Sequence, residues 1–221
     1  RQAGFDNINL DLIFGLPQQE TVRWQDTLAQ ALALAPEHLS LYSLIVEPDT
    51  PLYHWVSTGK VESPDEDLAG ELYEITIDRL AAAGYRHYEV SNWAKAHTPE
   101  QPVVMPAYAC RHNLIYWRNH EYLGIGPGAH SHLRRHDRLG RVVSRRWSNH
   151  KAVPGYVRRV ERQEPVETFS EEVGPVTSMG ETMMLGLRLV CEGVEFARFH
   201  ALHNADLREV YASQLRDLRA W

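Results

Sequence analysis

The sequence contains little of several features that would place it in a specialised class of protein. Only two of its 221 residues are cysteines, Cys110 and Cys191, which excludes a disulfide-stabilised scaffold and indicates a reducing compartment such as the cytoplasm. No apolar run approaches the roughly 20 residues that a membrane-spanning helix needs. The first four residues also lack the basic-then-apolar order of a signal peptide. We therefore expect a cytoplasmic protein without an integral membrane segment.

Excess positive charge is also absent. Lys and Arg number 23 against 29 Asp and Glu, and the resulting net charge of −6 argues against a dedicated nucleic-acid binder. The apolar fraction of 43% and the charged fraction of 24% are average, which excludes disorder, collagen-like repeats and coiled coil. Because the chain begins with Arg rather than Met, directly before a strand pattern, we interpret it as a fragment.

Strand and helix patterns alternate over the first part of the chain. Residues 8–14 alternate apolar and polar side chains as a strand does, and residues 15–17 (GLP) end it. Helical spacing follows over residues 24–35, and residues 39–46 form a second strand that is apolar on both faces apart from two serines. This order predicts a βαβ unit with parallel strands.

A second helix and a third strand continue this order. Ser63 and Glu66 predict a capping box with Pro64 at the first helical position, and Gly84 ends the helix. Residues 85–91 are the predicted third strand. Repeated alternation indicates a parallel sheet covered by helices, open or closed into a barrel. A closed barrel needs more such units than the sequence holds, so we expect the others upstream.

The second half of the chain has a different composition. Residues 97–108 carry three prolines and are predicted to form a loop, and residues 122–131 are too glycine-rich for a helix and suit tight backbone approach or a bulged strand. Residues 141–147 suit a further strand. Four helices are then predicted, over residues 152–163, 177–191, 196–203 and 205–219, with Asn204 as an N-cap. A composition shift predicts a boundary between residues 1–164 and 165–221.

Asp11 is the first candidate for a binding residue. It lies on the strand face opposite the apolar residues and near the predicted C-terminal end of the strand, where parallel sheets and barrels place their sites. A carboxylate there can accept hydrogen bonds from both hydroxyls of a ribose. The alternative is a capping or solvated aspartate.

Residues 110–117 (CRHNLIYW) form the densest cluster of reactive and aromatic side chains. His112 with Tyr116 and Trp117 nearby can bind a metal axially or stack on a flat macrocycle. A structural histidine beside two packing aromatics explains the same pattern. Spacing alone leaves both interpretations open.

Two further polar groups support weaker hypotheses. His130 and His132, with His136 nearby, fall short of the ligand set of a zinc site. Six arginines within residues 134–146 form a basic stretch that suits nucleic acid or the carboxylates of a small anionic ligand. A solvated hairpin explains this stretch more simply.

Five segments, taken in order, identify a family. They are residues 8–17 (INLDLIFGLP), 39–51 (LSLYSLIVEPDTP), 88–94 (YEVSNWA), 112–117 (HNLIYW) and 122–131 (YLGIGPGAHS). Together they resemble the oxygen-independent coproporphyrinogen III oxidase family of radical S-adenosylmethionine proteins, and most closely its HemW branch of haem chaperones. Residues 181–194 (ETMMLGLRLVCEGV) resemble the start of that family's helical C-terminal domain.

The resemblance implies a fold and a cofactor site. The fold is α/β: residues 1–164 are the C-terminal part of a partial (β/α)6 radical-SAM barrel with the strands that follow it, and residues 165–221 begin a mostly helical C-terminal domain. Asp11 matches the residue that holds the ribose of S-adenosylmethionine. Ile45, on the next predicted strand, matches a main-chain contact to its adenine.

The resemblance also implies haem binding by the H-N-x-x-Y-W motif, which here is His112, Asn113, Tyr116 and Trp117. His112 is the candidate iron ligand, and the two aromatics are expected against the porphyrin plane. The family's C-x-x-x-C-x-x-C loop, which holds a 4Fe–4S cluster, is not in this sequence, and two distant cysteines cannot replace it. We therefore do not expect this polypeptide alone to cleave S-adenosylmethionine.

Two functions of the intact protein compete. In the first, it binds haem and transfers it to haem-accepting proteins, with the cluster and S-adenosylmethionine as cofactors. In the second, it is an oxidase in which a 5′-deoxyadenosyl radical starts the oxidative decarboxylation of coproporphyrinogen III. True oxidases carry Asp-His where Ser91 and Asn92 stand here and lack the H-N-x-x-Y-W motif, so we favour the chaperone without oxidase activity. A non-radical barrel fragment with a helical partner-binding tail is a third, plainer interpretation.

Overall fold

A computed structural model of the chain describes residues 1–95, 105–136 and 142–220. The chain forms two compact units, Arg1–Cys110 (unit 1) and Arg111–Trp221 (unit 2). The boundary predicted after residue 164 falls inside unit 2 and stays a prediction. The loop predicted at residues 97–108 lies, up to residue 104, outside the described residues.

Unit 1 is a four-stranded sheet with helices. Its elements are β1 (Asn9–Phe14), α1 (Thr21–Ala33), β2 (His38–Ser43), α2 (Pro51–Ser57), α3 (Glu66–Ala82), β3 (Tyr85–Glu89) and β4 (Asn92–Lys95). β1 pairs in parallel with β2, with Asn9 opposite His38 and Phe14 opposite Ser43. The predicted βαβ unit is therefore confirmed.

The parallel arrangement does not continue as predicted. The strand order is β1-β2-β4-β3, and β4 is antiparallel to both of its neighbours. Residues 85–91 are not one strand, because the chain turns at Val90 and Ser91 and returns as β4. This turn contains neither glycine nor proline, so composition gave no sign of it.

The core of unit 1 lies on one face of the sheet. Leu10, Leu12 and Phe14 of β1 face it, whereas Asn9, Asp11 and Ile13 are exposed, which confirms the predicted alternation. The helices contribute fully buried side chains, among them Trp24, Leu28, Leu72 and Leu80. Burying a leucine of this kind contributes about 2 kcal/mol. The core therefore holds β1 with its polar face turned away from the helices.

The start of α3 differs from the prediction. Asp65, not Ser63, is the N-cap, and its carboxylate accepts hydrogen bonds from the backbone N–H groups of Asp67 (2.9 Å) and Leu68 (3.0 Å). The carboxylate satisfies two free N–H groups of the first turn, so the helix begins two residues after Pro64. Gly84 follows the helix at a φ of +82°, as predicted for its end.

Unit 2 combines a three-stranded antiparallel sheet, in the order β5-β6-β7, with helices. Its elements are α4 (Arg111–Trp117), β5 (His130–His136), β6 (Val142–Asn149), α5 (Val153–Glu161), β7 (Glu167–Val173), α6 (Pro175–Gly186), α7 (Phe196–His203), α8 (Leu207–Val210) and α9 (Ala212–Arg219). The strand predicted at residues 141–147 is confirmed as β6. β7 was missed because its glutamates and mostly exposed residues form no apolar alternation.

One predicted helix of unit 2 is confirmed in full, since α7 covers residues 196–203, and the other three are shorter than predicted or divided. α6 ends at Gly186, and Tyr211 separates α8 from α9. Asn204 is not an N-cap: it ends α7 in the left-handed conformation, at a φ of +49°. Asp206 caps α8 by accepting a hydrogen bond from the Arg208 N–H at 2.8 Å. Within the residues described, no helix is both long and apolar enough to cross a membrane.

Candidate functional site

The predicted site residues fall into two groups, one in each unit. Asp11 and Ile45 belong to unit 1, and the H-N-x-x-Y-W motif belongs to unit 2. Each group is described within its own unit.

Asp11 lies on the exposed face of β1, opposite Ser40 of β2. The predicted face is therefore correct, but Asp11 is the third of six strand residues rather than close to the C-terminal end. One of its carboxylate oxygens, Oδ1, accepts a hydrogen bond of 2.7 Å from Asn9 Nδ2. Asp11 thus presents an exposed carboxylate that one neighbour already orients.

A line of hydrogen bonds continues from Asn9 into the core. Asn9 Oδ1 lies 2.7 Å from His38 Nδ1, and His38 Nε2 lies 2.7 Å from the Tyr88 hydroxyl. The Tyr88 oxygen accepts from the Cys110 backbone N–H at 3.1 Å. Sequence reasoning missed this line. The alternation of β1, which puts Asn9 on the same face as Asp11, was the one signal that could have found its outer end.

Burial fixes the protonation states within this line. It lowers the pKa of His38 to about 4, and the nearby Asp11 carboxylate opposes this shift only in part. Burial also raises the pKa of Tyr88 above its usual value. Near neutral pH the line therefore contains a neutral imidazole and a protonated phenol.

Ile45 lies outside a strand, because β2 ends at Ser43. It is 71% exposed and lines a cavity of about 630 Å³ next to the C-terminal ends of β1 and β2. Phe14, Ser63, Glu66 and Tyr73 also line this cavity, and Asp11 is not among its lining residues. Small-molecule sites in open α/β sheets occur at this end of the strands. Ile45 thus lines the cavity, whereas Asp11 lies on the exposed face of β1 outside its lining.

The H-N-x-x-Y-W motif forms most of the short helix α4. His112 is exposed, and its ring meets the Tyr116 ring edge-on with centroids 4.9 Å apart, as expected one helical turn along. Edge contacts continue from Tyr116 to Tyr122 (4.7 Å) and from Tyr122 to His132 (5.9 Å). We call these four residues the ring series. His112 is its exposed end.

Asn113 and Trp117 occupy the neighbouring row of α4, and both are half-buried. The Arg188 guanidinium lies over the Trp117 ring at 4.4 Å. Among the described residues, Trp117 Nε1 has no hydrogen-bond partner although it is buried. A buried indole N–H usually has a partner, so this donor is left available to one.

A charged cluster stands directly after the motif. Arg118 Nε donates to the Glu192 carboxylate at 3.1 Å, and Arg198 donates to the same carboxylate and, at 3.0 Å, to the Gly193 carbonyl. Only 4% of the Glu192 side chain is exposed. Burial opposes its ionisation, but the hydrogen bonds and charges of both arginines outweigh burial and lower its pKa. The cluster ties the end of α4 to the segment between α6 and α7.

Three arginines of the basic stretch form ion pairs with glutamates of their own sheet. β5 and β6 form the predicted hairpin, and β7 supplies glutamates along it: Arg135 pairs with Glu172, Arg145 with Glu167, and Arg146 with Glu171. Arg146 also pairs with Glu181 of α6 at 3.0 Å. Arg138 and Arg141 lie outside the described residues.

The described parts of both units contain no group of three or more His, Cys, Asp or Glu that could hold a metal ion. Cys110 belongs to unit 1 and Cys191 to unit 2. Of the histidines weighed for zinc, His132 is buried, and its Nδ1 lies 3.2 Å from the His120 carbonyl oxygen. With two cysteines in all, the sequence lacks the third thiolate that a three-cysteine cluster loop supplies.

Comparison with known proteins relates the whole chain to one group. Residues 177–220 match the HemN C-terminal domain family. The heme chaperone HemW of Bacillus subtilis is 35% identical over 99% of this chain and 52% of its own length. HemW of Escherichia coli is 37% identical over 74% of this chain and 39% of its own. Mouse radical S-adenosyl methionine domain-containing protein 1, mitochondrial, is 41% identical over 56% of this chain and 26% of its own.

The fold leads to the same group. The solved structure of coproporphyrinogen III oxidase HemN from Escherichia coli, described as a radical SAM enzyme, matches 97% of this chain and 48% of its own length. The TM-score is 0.66 at 18% sequence identity, which confirms the predicted α/β fold class. The chain spans about half the length of the curated relatives it matches. Over that span, the chain is similar in sequence to HemW proteins and in fold to HemN.

Proposed function

We propose that this protein, in its full length, binds haem and hands it to haem-accepting proteins. The observation that carries the proposal is the exposed imidazole of His112, at the open end of the ring series on α4. Relatives that match 99% and 96% of this chain are themselves named heme chaperones, which supports the same function. Exposure suits a cargo that must leave again.

The residues of α4 fit a haem ligand set. A histidine nitrogen is a common axial donor to haem iron, and bound haem would supply that iron. Tyr116 would hold the His112 ring through its edge contact, since the two rings are perpendicular within 6° (84°). Asn113 and Trp117 lie on the adjacent row of α4, and the half-buried Trp117 ring would lie against the porphyrin plane.

S-adenosylmethionine and a 4Fe–4S cluster are proposed as further cofactors of the full-length protein. Asp11 would accept hydrogen bonds from the ribose hydroxyls, which suits an exposed carboxylate. The main chain at Ile45 would contact the adenine beside the cavity of unit 1. The two cysteines of this chain do not fit the cluster, so we assign none of its ligands here.

The test is a haemin titration of the full-length gene product, followed by the Soret band. We expect saturable binding that His112→Ala weakens by about tenfold or more, as for the loss of an axial ligand. His54→Ala is the matched control, because His54 is also an exposed histidine on a short helix. Equal binding by wild type and His112→Ala would contradict the role of His112.

A second assay separates the chaperone from the oxidase. The full-length protein, with its cluster reconstituted, is incubated with coproporphyrinogen III and S-adenosylmethionine. We expect haem binding and no protoporphyrinogen. Turnover to protoporphyrinogen, or no saturable haem binding, would overturn the chaperone assignment in favour of the decarboxylase.

A further inference from the structure

The orientation of Asp11 is controlled from inside unit 1. An exposed carboxylate on a strand ordinarily samples several rotamers, and a ligand must then select one of them. Here Asn9 Nδ2 holds Asp11 Oδ1 at 2.7 Å, which leaves Oδ2 free toward solvent. The question is what holds Asn9, which is itself exposed.

The amide of Asn9 is held by two donors. His38 Nδ1 lies 2.7 Å and Ser40 Oγ 3.3 Å from its Oδ1. Because a carboxylate only accepts hydrogen bonds, the Asn9 NH₂ group must face Asp11 and its oxygen must face His38. Reversing the amide would place its NH₂ against two donors and its oxygen against a carboxylate.

His38 is fixed in turn. It is buried, and its Nε2 accepts the proton of the Tyr88 hydroxyl at 2.7 Å. Tyr88 is fully buried, and the Cys110 N–H donates to its oxygen. All four hydrogen bonds therefore run in one direction, from Cys110 through Tyr88, His38 and Asn9 to Asp11. Hydrogen bonds aligned in this way polarise and strengthen one another.

We propose that His38 and Asn9 are positioning residues that hold the Asp11 carboxylate ready for the two hydroxyls of a ribose. The inference rests on the proposed role of Asp11 toward S-adenosylmethionine. A network that only stabilised the sheet would have no reason to end at the surface, on a carboxylate without any other hydrogen bond among the described residues. The outer end therefore serves a ligand, and the buried end anchors it.

Two substitutions of the same residue separate positioning from stability. The amide nitrogen of asparagine falls near the Nδ1 position of histidine, so His38→Asn keeps a donor to Asn9 and loses the contact to Tyr88. The amide group of glutamine reaches the Nε2 position, so His38→Gln keeps Tyr88 and loses Asn9. Both variants remove one buried hydrogen bond, so a purely structural role predicts similar effects from both.

The experiment measures the dissociation constant of S-adenosylmethionine by calorimetry, with full-length variants of equal iron content. We expect His38→Gln and Asn9→Ala to weaken binding by about tenfold and His38→Asn by less than about threefold. Thermal unfolding and the haemin titration are run on every variant, and the haemin affinity is expected to stay unchanged. Equal weakening by His38→Asn and His38→Gln would overturn the inference.

Asp11→Asn makes the two possible failures distinguishable. If it weakens S-adenosylmethionine binding while His38→Gln and Asn9→Ala do not, the positioning inference is wrong and the role of Asp11 stands. If it leaves binding unchanged, the proposed role of Asp11 fails, and the inference fails with it. The haemin titration, which depends on His112, tests the haem function independently of both.

Discussion

The two units support their candidate ligand groups with opposite kinds of polar chemistry. Behind Asp11, unit 1 holds a neutral line that runs from the exposed Asn9 amide to the buried, neutral imidazole of His38 and the buried phenol of Tyr88. Behind α4, unit 2 buries a charged cluster of Arg118, Glu192 and Arg198. Burying a neutral polar group costs less free energy than burying a charge. The amide, the imidazole and the phenol of this line each have a hydrogen-bond partner on both sides.

This difference suits what each group is proposed to hold. A neutral, unidirectional line fixes one carboxylate rotamer, which suits a small cofactor with a defined diol. A charged cluster ties distant chain segments together without touching the ligand group, and it leaves the His112 ring exposed. We therefore expect substitutions in the cluster to lower mainly the free energy of unfolding. Substitutions in the hydrogen-bonded line behind Asp11 should lower mainly the affinity for the ligand.

The largest expected effect is on the stability of unit 2. Glu192→Gln leaves Arg118 and Arg198 without their shared counter-charge, and removing one partner of a buried ion pair costs about 3–5 kcal/mol. Glu172→Gln is the matched control, because Glu172 pairs with Arg135 at a site where both side chains are about 60% exposed (61% and 59%). Breaking such a surface pair costs about 0–1 kcal/mol.

Urea unfolding of both glutamate variants beside the wild type measures this difference. Similar losses of unfolding free energy from Glu192→Gln and Glu172→Gln would mean that the buried cluster stabilises unit 2 no more than a surface ion pair does. The proposed difference between the two units would then be wrong. Haemin affinity, measured in the same samples below the unfolding transition, is expected to change little.

The next largest effect is the pH dependence that His38 confers on the stability of unit 1. Its folded pKa of about 4 lies below the value of 6.5 for an unperturbed histidine, so the unfolded chain binds the proton more readily between these pH values. The stabilising contribution is therefore complete above pH 6.5 and is lost as the pH falls to about 4. The loss amounts to about 3 kcal/mol.

The free energy of unfolding, measured from pH 7.5 to pH 4, tests this contribution. Burial lowers the pKa of His203 in unit 2 to about 4 as well, so the wild type is expected to lose both contributions in the same window. His38→Gln should remove only the part of the pH-dependent stability loss that His38 contributes in unit 1. His203→Gln should remove only the part that His203 contributes in unit 2. A His38→Gln profile parallel to that of the wild type would contradict a neutral, buried His38.

The sequence predicted those parts of the fold that follow from periodicity. The alternation of β1, the helical spacing around Trp24 and the end of α3 at Gly84 were all correct. Periodicity failed to predict a strand and a turn that are formed by polar residues or lack the usual turn residues. β7 is held by glutamates paired with arginines of the hairpin, and the β3–β4 turn contains neither Gly nor Pro.

The candidate site was predictable only in its surface residues. Asp11 and His112 have chemistry that is visible in the sequence, and the structure places both on exposed positions. The sequence does not indicate which residues hold Asp11 and α4 in place. Asn9 and Tyr88 are linked only through His38, which lies on a third strand. Arg118 and Glu192 are 74 positions apart in the sequence. Such pairings depend on tertiary contacts that local spacing does not specify.

The smallest expected effect is a change in the stability of unit 2 when the backbone that positions Tyr122 of the ring series is altered. Tyr122 and His132 exchange backbone hydrogen bonds of 2.8 and 2.9 Å, and the chain between them folds so tightly that a Cβ on Gly124 would lie 2.1 Å from the His130 carbonyl oxygen. Gly124→Ala must therefore move this backbone, at a cost of about 1–3 kcal/mol.

Gly180→Ala is the control for Gly124→Ala, because it adds the same methyl group where nothing lies within 4 Å. Gly180 is inside α6 and exposed, so alanine should stabilise unit 2 by about 0.5–1 kcal/mol. Thermal unfolding should thus move in opposite directions for the two variants. A Gly124→Ala protein as stable as the wild type would mean that the backbone yields easily there. Tyr122 would then be held by its backbone hydrogen bonds to His132 and its ring contact to Tyr116, without a contribution from the tight turn at Gly124.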